Sequence, residues 1–238
     1  MTMKNIIEVQ NITKYFDDLT ALDDLSLKVC EGEIYGLLGS NGAGKSTTIN
    51  ILLGFLQPEM GKATINGIDA VTNSNQSRKY IGYIPENVSL YGYLSGVENL
   101  DYFCKLAGKS HTEDQLRELL RESGLDNEAH NKRIKTYSKG MRQKVGIAIA
   151  LAKKAKVYLL DEPASGLDPL ASNELSSSLK KISENGAAIL MASHDIFRMR
   201  ETCDKIGILK SGKLIKEMDT KDVSTNELEN IYIDYMQS

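Results

Sequence analysis

The sequence predicts an α/β fold in which a buried sheet carries a helical lobe inserted part-way along the chain. Three observations point there. Short apolar runs at residues 34–38, 157–160, 189–192 and 206–209 read as strands, the first of them buried on both faces. A glycine-rich turn and then a helical pattern follow the first of them directly. Between residues 87 and 155 the texture changes to helix-favouring sequence.

Composition fits one large domain or two tightly joined lobes. The chain has 238 residues, 41% hydrophobic and 26% charged, with no repeat or low-complexity tract, so a sizeable core is expected. Its 29 basic and 32 acidic residues give a net charge of -3, the opposite of a nucleic-acid footprint. Cys30, Cys104 and Cys203 are odd in number and widely spaced, which suits reduced, buried thiols better than disulfides or a zinc site. No apolar run reaches the roughly 18 to 20 residues of a membrane span, and residues 1–10 lack a signal-peptide core. Any membrane role is expected to come through a partner.

Taken in order, Leu25, Leu27 and Val29 alternate with Ser26 and Lys28 as a half-buried strand, and Glu31-Gly32 turns the chain into the run at 34–38. A helix with Ile49, Leu52 and Leu53 follows and stops before Gly54. Further strands are expected at 63–65, 157–160, 189–192 and 206–209, the last turning at Ser211-Gly212 into Leu214-Ile215. Helices are expected at 97–106, 113–122, from Ser138 onward, and at 226–236. Ligands sit at the C-terminal strand ends of such sheets, so Asp161 and Ser193-His194 should converge on the glycine turn.

That turn reads Gly39-Ser40-Asn41-Gly42-Ala43-Gly44-Lys45-Ser46, followed by Thr47, and matches the phosphate-loop pattern G-x-x-x-x-G-K-[ST]. Its glycines let backbone N–H groups point at phosphates, and the helix adds its positive N-terminal end. Lys45 can reach the β and γ phosphates, and the Ser46 hydroxyl can hold Mg²⁺. Strand 157–160 ends in Asp161-Glu162, and neighbouring strand side chains point oppositely, so the two acids can differ in role. Asp161 suits Mg²⁺ and Glu162 suits the general base that polarises the attacking water. His194 can contact the γ-phosphate and keep water and Glu162 in register.

Five segments taken together resemble the nucleotide-binding domain of ABC transporters. They are residues 39–47, Tyr137-Ser138-Lys139-Gly140-Met141, Leu160-Asp161-Glu162-Pro163, Ser165-Gly166-Leu167-Asp168 and Ser193-His194. The resemblance spans essentially the whole chain. It implies a RecA-like phosphate-loop NTPase core with an N-terminal antiparallel β subdomain, in a single domain of residues 1–238. Core residues would be 1–86 and 155–238, and the inserted helical subdomain, 87–154, would carry the signature segment.

The resemblance also implies an ATP-hydrolysing subunit, with ATP and Mg²⁺ as ligands, that closes as a homodimer or heterodimer around two ATP molecules. Ser138 and Gly140 would contact the γ-phosphate held by the other copy, and Asp168 would lie near that contact. The partner implied is a separately encoded membrane-spanning permease, with the subunit on the cytoplasmic face and residues 87–96, including Leu90, Tyr91, Tyr93 and Leu94, meeting its helices. No nucleic-acid partner is expected.

Departures from the family pattern are specific. Where the usual signature reads Leu-Ser-Gly-Gly-Gln, Tyr137, Lys139 and Met141 stand at three of its five positions, which resembles the branch of drug, antibiotic-peptide and polysaccharide exporters. Glu86 replaces the glutamine that commonly touches Mg²⁺ and the water. Phe16, or its neighbour Tyr15, stands where the family stacks a ring on adenine. The competing readings are a non-transport ABC ATPase acting on ribosomes or nucleic acid, and a GTPase or nucleotide kinase. For the last, Asn131-Lys132-Arg133-Ile134 lacks the acid of a guanine reader.

Overall fold

Two long antiparallel strands, β1 (Asn5–Phe16) and β2 (Leu19–Cys30), open the structure, a computed structural model that describes residues 4–237. Residues 1–3 and Ser238, included in the expected 1–238 domain, lie outside the described residues. Sequence alternation exposes only the second half of β2. The cause is a pair of facing irregularities: Asn11 and Asp24 both have left-handed backbones, φ 49° and 54°, and shift the register. Asn11 Nδ2 donates to Asp24 Oδ1 at 2.8 Å, so the two bulges are bonded to each other.

The chain continues through β3 (Ile34–Leu38), α1 (Lys45–Leu52), β4 (Met60–Ile65), β5 (Ile68–Asp69), α2 (Ser74–Ser77) and β6 (Ile81–Ile84). Three helices follow, α3 (Gly96–Leu106), α4 (Glu113–Glu122) and α5 (Lys139–Ala152). Then come β7 (Val157–Asp161), α6 (Pro169–Glu184), β8 (Ala188–Ser193), α7 (Ile196–Thr202), β9 (Lys205–Lys210), β10 (Lys213–Asp219) and α8 (Thr225–Gln237). One sheet is antiparallel, in the order β2-β1-β4-β5. The other runs β10-β9-β3-β8-β7-β6 and is parallel except for β10. The expected α/β class, with its antiparallel N-terminal sheet, is thus the one observed.

Strand β3 lies between β8 and β9, with β7 one place further along, so the residues after β3, β7 and β8 emerge side by side. All five residues of β3 are buried, as are all six of β8, which is why both read as unbroken apolar runs. One apolar cluster joins the two sheets and α1, including Ile7, Leu25, Leu37, Ile49 and Leu52. A second lies under α6, α7 and α8, around Leu160, Leu175, Ile189, Met199 and Leu228.

Helices α3, α4 and α5 hold a third cluster of their own, with Leu100, Leu116, Leu120 and Val145. Capping boxes at Ser95/Glu98 and Thr112/Gln115 start α3 and α4 where the sequence places them. Helix α6 is not legible in the sequence. It is rich in serine, and Ser176, Ser177 and Ser178 hydroxyls donate back to the carbonyls of Ser172, Asn173 and Glu174. Among the described residues, no helix is long and apolar enough to cross a membrane.

Candidate functional site

The glycine turn connects β3 to α1. Gly44 is the N-cap of α1 with φ 108°, and a Cβ there would sit 2.7 Å from the Ala21 carbonyl oxygen, so no other residue fits. No side chain caps α1, which leaves its first-turn N–H groups for an anion. Lys45 is buried, and its Nζ donates to the Gly39 carbonyl at 2.6 Å and the Ser40 carbonyl at 3.0 Å. These neutral acceptors are weaker partners than a phosphate oxygen.

Glu162 lies just beyond β7. Its backbone is left-handed, φ 46°, and its N–H donates to the Ala192 carbonyl at 2.9 Å. The divergence of Asp161 and Glu162 therefore comes from this turn rather than from strand alternation, a correction to the sequence reading. Glu162 Oε1 lies 2.9 Å from His194 Nδ1 and 3.7 Å from Lys45 Nζ, while Oε2 accepts from the Ser193 hydroxyl at 2.9 Å. The Gly39 N–H donates to the Ser193 carbonyl at 3.3 Å. Three segments far apart in sequence thus meet at one carboxylate, as the strand order requires.

Asp161 is 8% exposed, and its Oδ1 has no hydrogen-bond partner. Burial raises its pKa above the usual carboxylate value; a hydrogen bond to Ser46 opposes this, Glu162 and Glu86 add to it, and Lys45 opposes it. A buried, unsatisfied oxygen is costly unless a cation completes it. No cluster of three His, Cys, Asp or Glu side chains able to hold a metal occurs among the described residues. A hydroxyl and one carboxylate instead fit Mg²⁺, which takes few protein ligands and keeps waters and substrate phosphate oxygens. Glu86 is exposed, two residues past β6, and its charge reaches Asp161.

Ser138 is the N-cap of α5, its hydroxyl accepting from the Met141 N–H at 3.2 Å. No hydrogen bond or ion pair among the described residues joins Ser138 or Gly140 to the phosphate loop of the same chain. Gly140 has a packing reason: a Cβ would lie 2.7 Å from the Gly166 carbonyl oxygen. Beside it, Lys139 Nζ donates to Ser165 Oγ at 2.8 Å, which ties the signature segment to the loop after Glu162. Asp168, exposed, caps α6 by accepting from the Ala171 N–H at 2.8 Å.

Tyr137 is buried where the usual signature has leucine, and its hydroxyl donates to the Ala129 carbonyl at 2.6 Å. Phe16 and Tyr15 end β1 and are both about two-fifths exposed, at 42% and 44%. Phe16 has Lys14 Nζ 5.2 Å from its ring. Tyr91 and Tyr93 are exposed, but Leu90 and Leu94 are half-buried and Leu90 packs on the lobe's core, so the apolar surface of residues 87–96 is aromatic rather than aliphatic. A cavity of about 720 Å³ lies between α4, α5 and α6 at the opposite ends of the strands and is lined by none of these residues.

Sequence reasoning missed two contacts. Gln143, 1% exposed in α5, donates to the Pro85 carbonyl at 3.3 Å, and Ser193 bonds Glu162. Gln143 sits two residues past the signature segment, a position that motif reading does not reach. Ser193 stood inside the expected Ser-His pair, where the histidine drew the attention.

The ABC transporter family model matches residues 22–165, more than half of the chain. The chain is an ABC transporter ATP-binding protein. It is 40% identical over 236 residues to an ABC transporter ATP-binding protein of Bacillus subtilis, covering 99% of this chain and 77% of that one. A bacitracin transport ATP-binding protein of Enterococcus faecalis is 35% identical over 224 residues, 94% of this chain and 72% of that one. Among solved structures, the dimeric post-hydrolysis state of an ATP-binding cassette bound to ADP and Pi superposes with a TM-score of 0.82. It is 26% identical, covering 90% of this chain and 99% of that one. The cassette binds ATP and hydrolyses it, as the order of its motifs led us to expect.

Proposed function

We propose that this cassette is the motor of an exporter, working as a homodimer on the cytoplasmic face of the membrane beneath a separate membrane-spanning permease. The observation that carries the reading is the meeting of Lys45, His194 and Ser193 on the Glu162 carboxylate, beside an uncapped helix start and a buried unsatisfied Asp161 oxygen. An exporter is favoured by similarity to the bacitracin transport protein.

The loop N–H groups and Lys45 take the phosphates of ATP, and Phe16 offers a ring face to the adenine. Ser46 and Asp161 would hold Mg²⁺, with Glu86 beside them, and the ion would supply neutralising charge to the phosphate oxygens. Glu162 accepts a proton from the water that attacks the γ-phosphorus as the bond to the β-phosphate oxygen breaks, leaving ADP and phosphate. His194 holds Glu162 through Oε1 and faces the same space. Ser138 and Gly140 serve the partner copy's ATP, because α5 begins with free N–H groups and no phosphate loop of its own chain meets it.

Since Lys45, Ser138, Glu162 and His194 lie on one chain, two copies build two complete sites. Loss of the γ-phosphate opens the dimer, and the lobe of residues 87–154 carries that motion through Tyr91 and Tyr93 to the permease. Glu162→Gln tests the chemistry. It should bind ATP and accumulate an ATP-dependent dimer in sedimentation while turnover falls at least about a hundredfold; wild-type turnover would remove Glu162 from the mechanism.

A further inference from the structure

We infer that Ser193 is a positioning residue for hydrolysis, acting as the link that sets the Glu162 carboxylate relative to the phosphate loop. The inference rests on the reading of Glu162 as general base. Ser193 ends β8 opposite Leu38 of β3 and is 7% exposed. Its hydroxyl has one proton to give. The acceptor side of Oγ takes the Asp195 N–H at 3.2 Å, and the proton goes to Glu162 Oε2 at 2.9 Å. The carbonyl of the same residue accepts the N–H of Gly39, the first residue of the loop, at 3.3 Å. One residue therefore touches the loop through its backbone and the base through its side chain.

The two oxygens of Glu162 have different company. Oε1 faces Lys45 and His194, and the Lys45 ammonium is drawn toward ATP phosphates when nucleotide binds. His194 is also the most exposed member of the group, with 63% of its side chain open. Oε2 is held by a buried hydroxyl on a central strand, which has no reason to leave. Ser193 thus fixes the carboxylate rotamer throughout the cycle and leaves Oε1 to receive the water's proton. Without it, Glu162 turns about three side-chain bonds from a backbone already in a left-handed conformation.

Steady-state kinetics of the intact dimer with Mg-ATP test this. Ser193→Ala should lower kcat about ten- to a hundredfold, leave KM and ATP-dependent dimer formation unchanged, and add no further loss to Glu162→Gln. Ser193→Thr, which keeps the hydroxyl, should restore most of the rate. A Ser193→Ala kcat within about twofold of wild type, a rise in KM that accounts for the loss, a Ser193→Thr variant as slow as Ser193→Ala, or a double variant slower than Glu162→Gln by the full Ser193→Ala factor overturns the inference. Wild-type turnover in Glu162→Gln would instead remove the general-base reading on which it stands.

Discussion

Gln143 donates its side-chain amide to the carbonyl of Pro85, 3.3 Å away. Pro85 precedes Glu86, whose charge reaches Asp161, and Gln143 lies one turn into the helix that Ser138 caps. A change at Glu86 and a movement of the signature helix are thereby mechanically joined inside one chain.

Gln143→Met keeps the volume and removes this bond, leaving the Pro85 carbonyl without it. Stability should fall by about 1 kcal/mol in urea unfolding. Amide exchange at residues 86–90 should quicken while ATP affinity stays unchanged. Unaltered exchange there would mean that the bond does not restrain the segment.

Lys45→Ala removes the ammonium that lies 3.7 Å from Glu162 Oε1 and bonds the Gly39 and Ser40 carbonyls of the loop. ATP affinity should weaken by about 2 to 3 kcal/mol, roughly thirty- to a hundredfold, in a fluorescent-nucleotide titration. Binding within threefold of wild type would contradict the assignment of Lys45 to the phosphates.

Tyr137→Phe deletes a buried hydroxyl and its 2.6 Å bond to Ala129. Ala129's carbonyl keeps a second donor, the Lys132 N–H, so the cost should be only about 1 kcal/mol in denaturant melts. Tyr137→Leu, which restores the residue usual in the signature, should cost more because it also leaves a void beside Gly96. A Phe variant as stable as wild type would show that the hydroxyl contributes nothing, and a Leu variant as stable as the Phe variant would show that losing the ring leaves no void.

Thiol chemistry should separate the three cysteines. Burial pushes the Cys203 thiol far above its usual range and Cys104 to about 11; Cys30, half-buried, is raised by burial and by Glu33. Thiolate is the reactive form, so raised pKa values mean slow alkylation at neutral pH that quickens as pH rises. Mass spectrometry should find Cys30 labelled first and Cys203 last, and only after unfolding. Early labelling at Cys203 would contradict its burial.

The core strands and their order-critical ends were legible because β3, β7 and β8 are buried on both faces and therefore read as apolar runs. The phosphate loop, Asp161, Glu162 and His194 were legible because each sits at a strand end and the residue types leave little choice of chemistry. β1 was not, because Asn11 and its bulge break the period that marks a strand. Helix α6 was hidden by serines whose hydroxyls bond their own helix. The left-handed turn at Glu162 was also invisible: nothing in Asp161-Glu162-Pro163 distinguishes alternation from a turn until β8 supplies the Ala192 carbonyl. Contacts between motifs, such as Lys139 to Ser165, need the fold itself.

The composite nature of the site is tested most directly by mixing two inactive variants, Lys45→Ala and Ser138→Arg, and measuring ATP hydrolysis. In a mixed dimer, one site receives both changes, while the other joins an intact phosphate loop to an intact Ser138 segment. Activity well above the sum of the separate variants is the result expected. Two folded, dimerising variants that regain nothing on mixing would show that Lys45 and Ser138 do not complete one site across two chains.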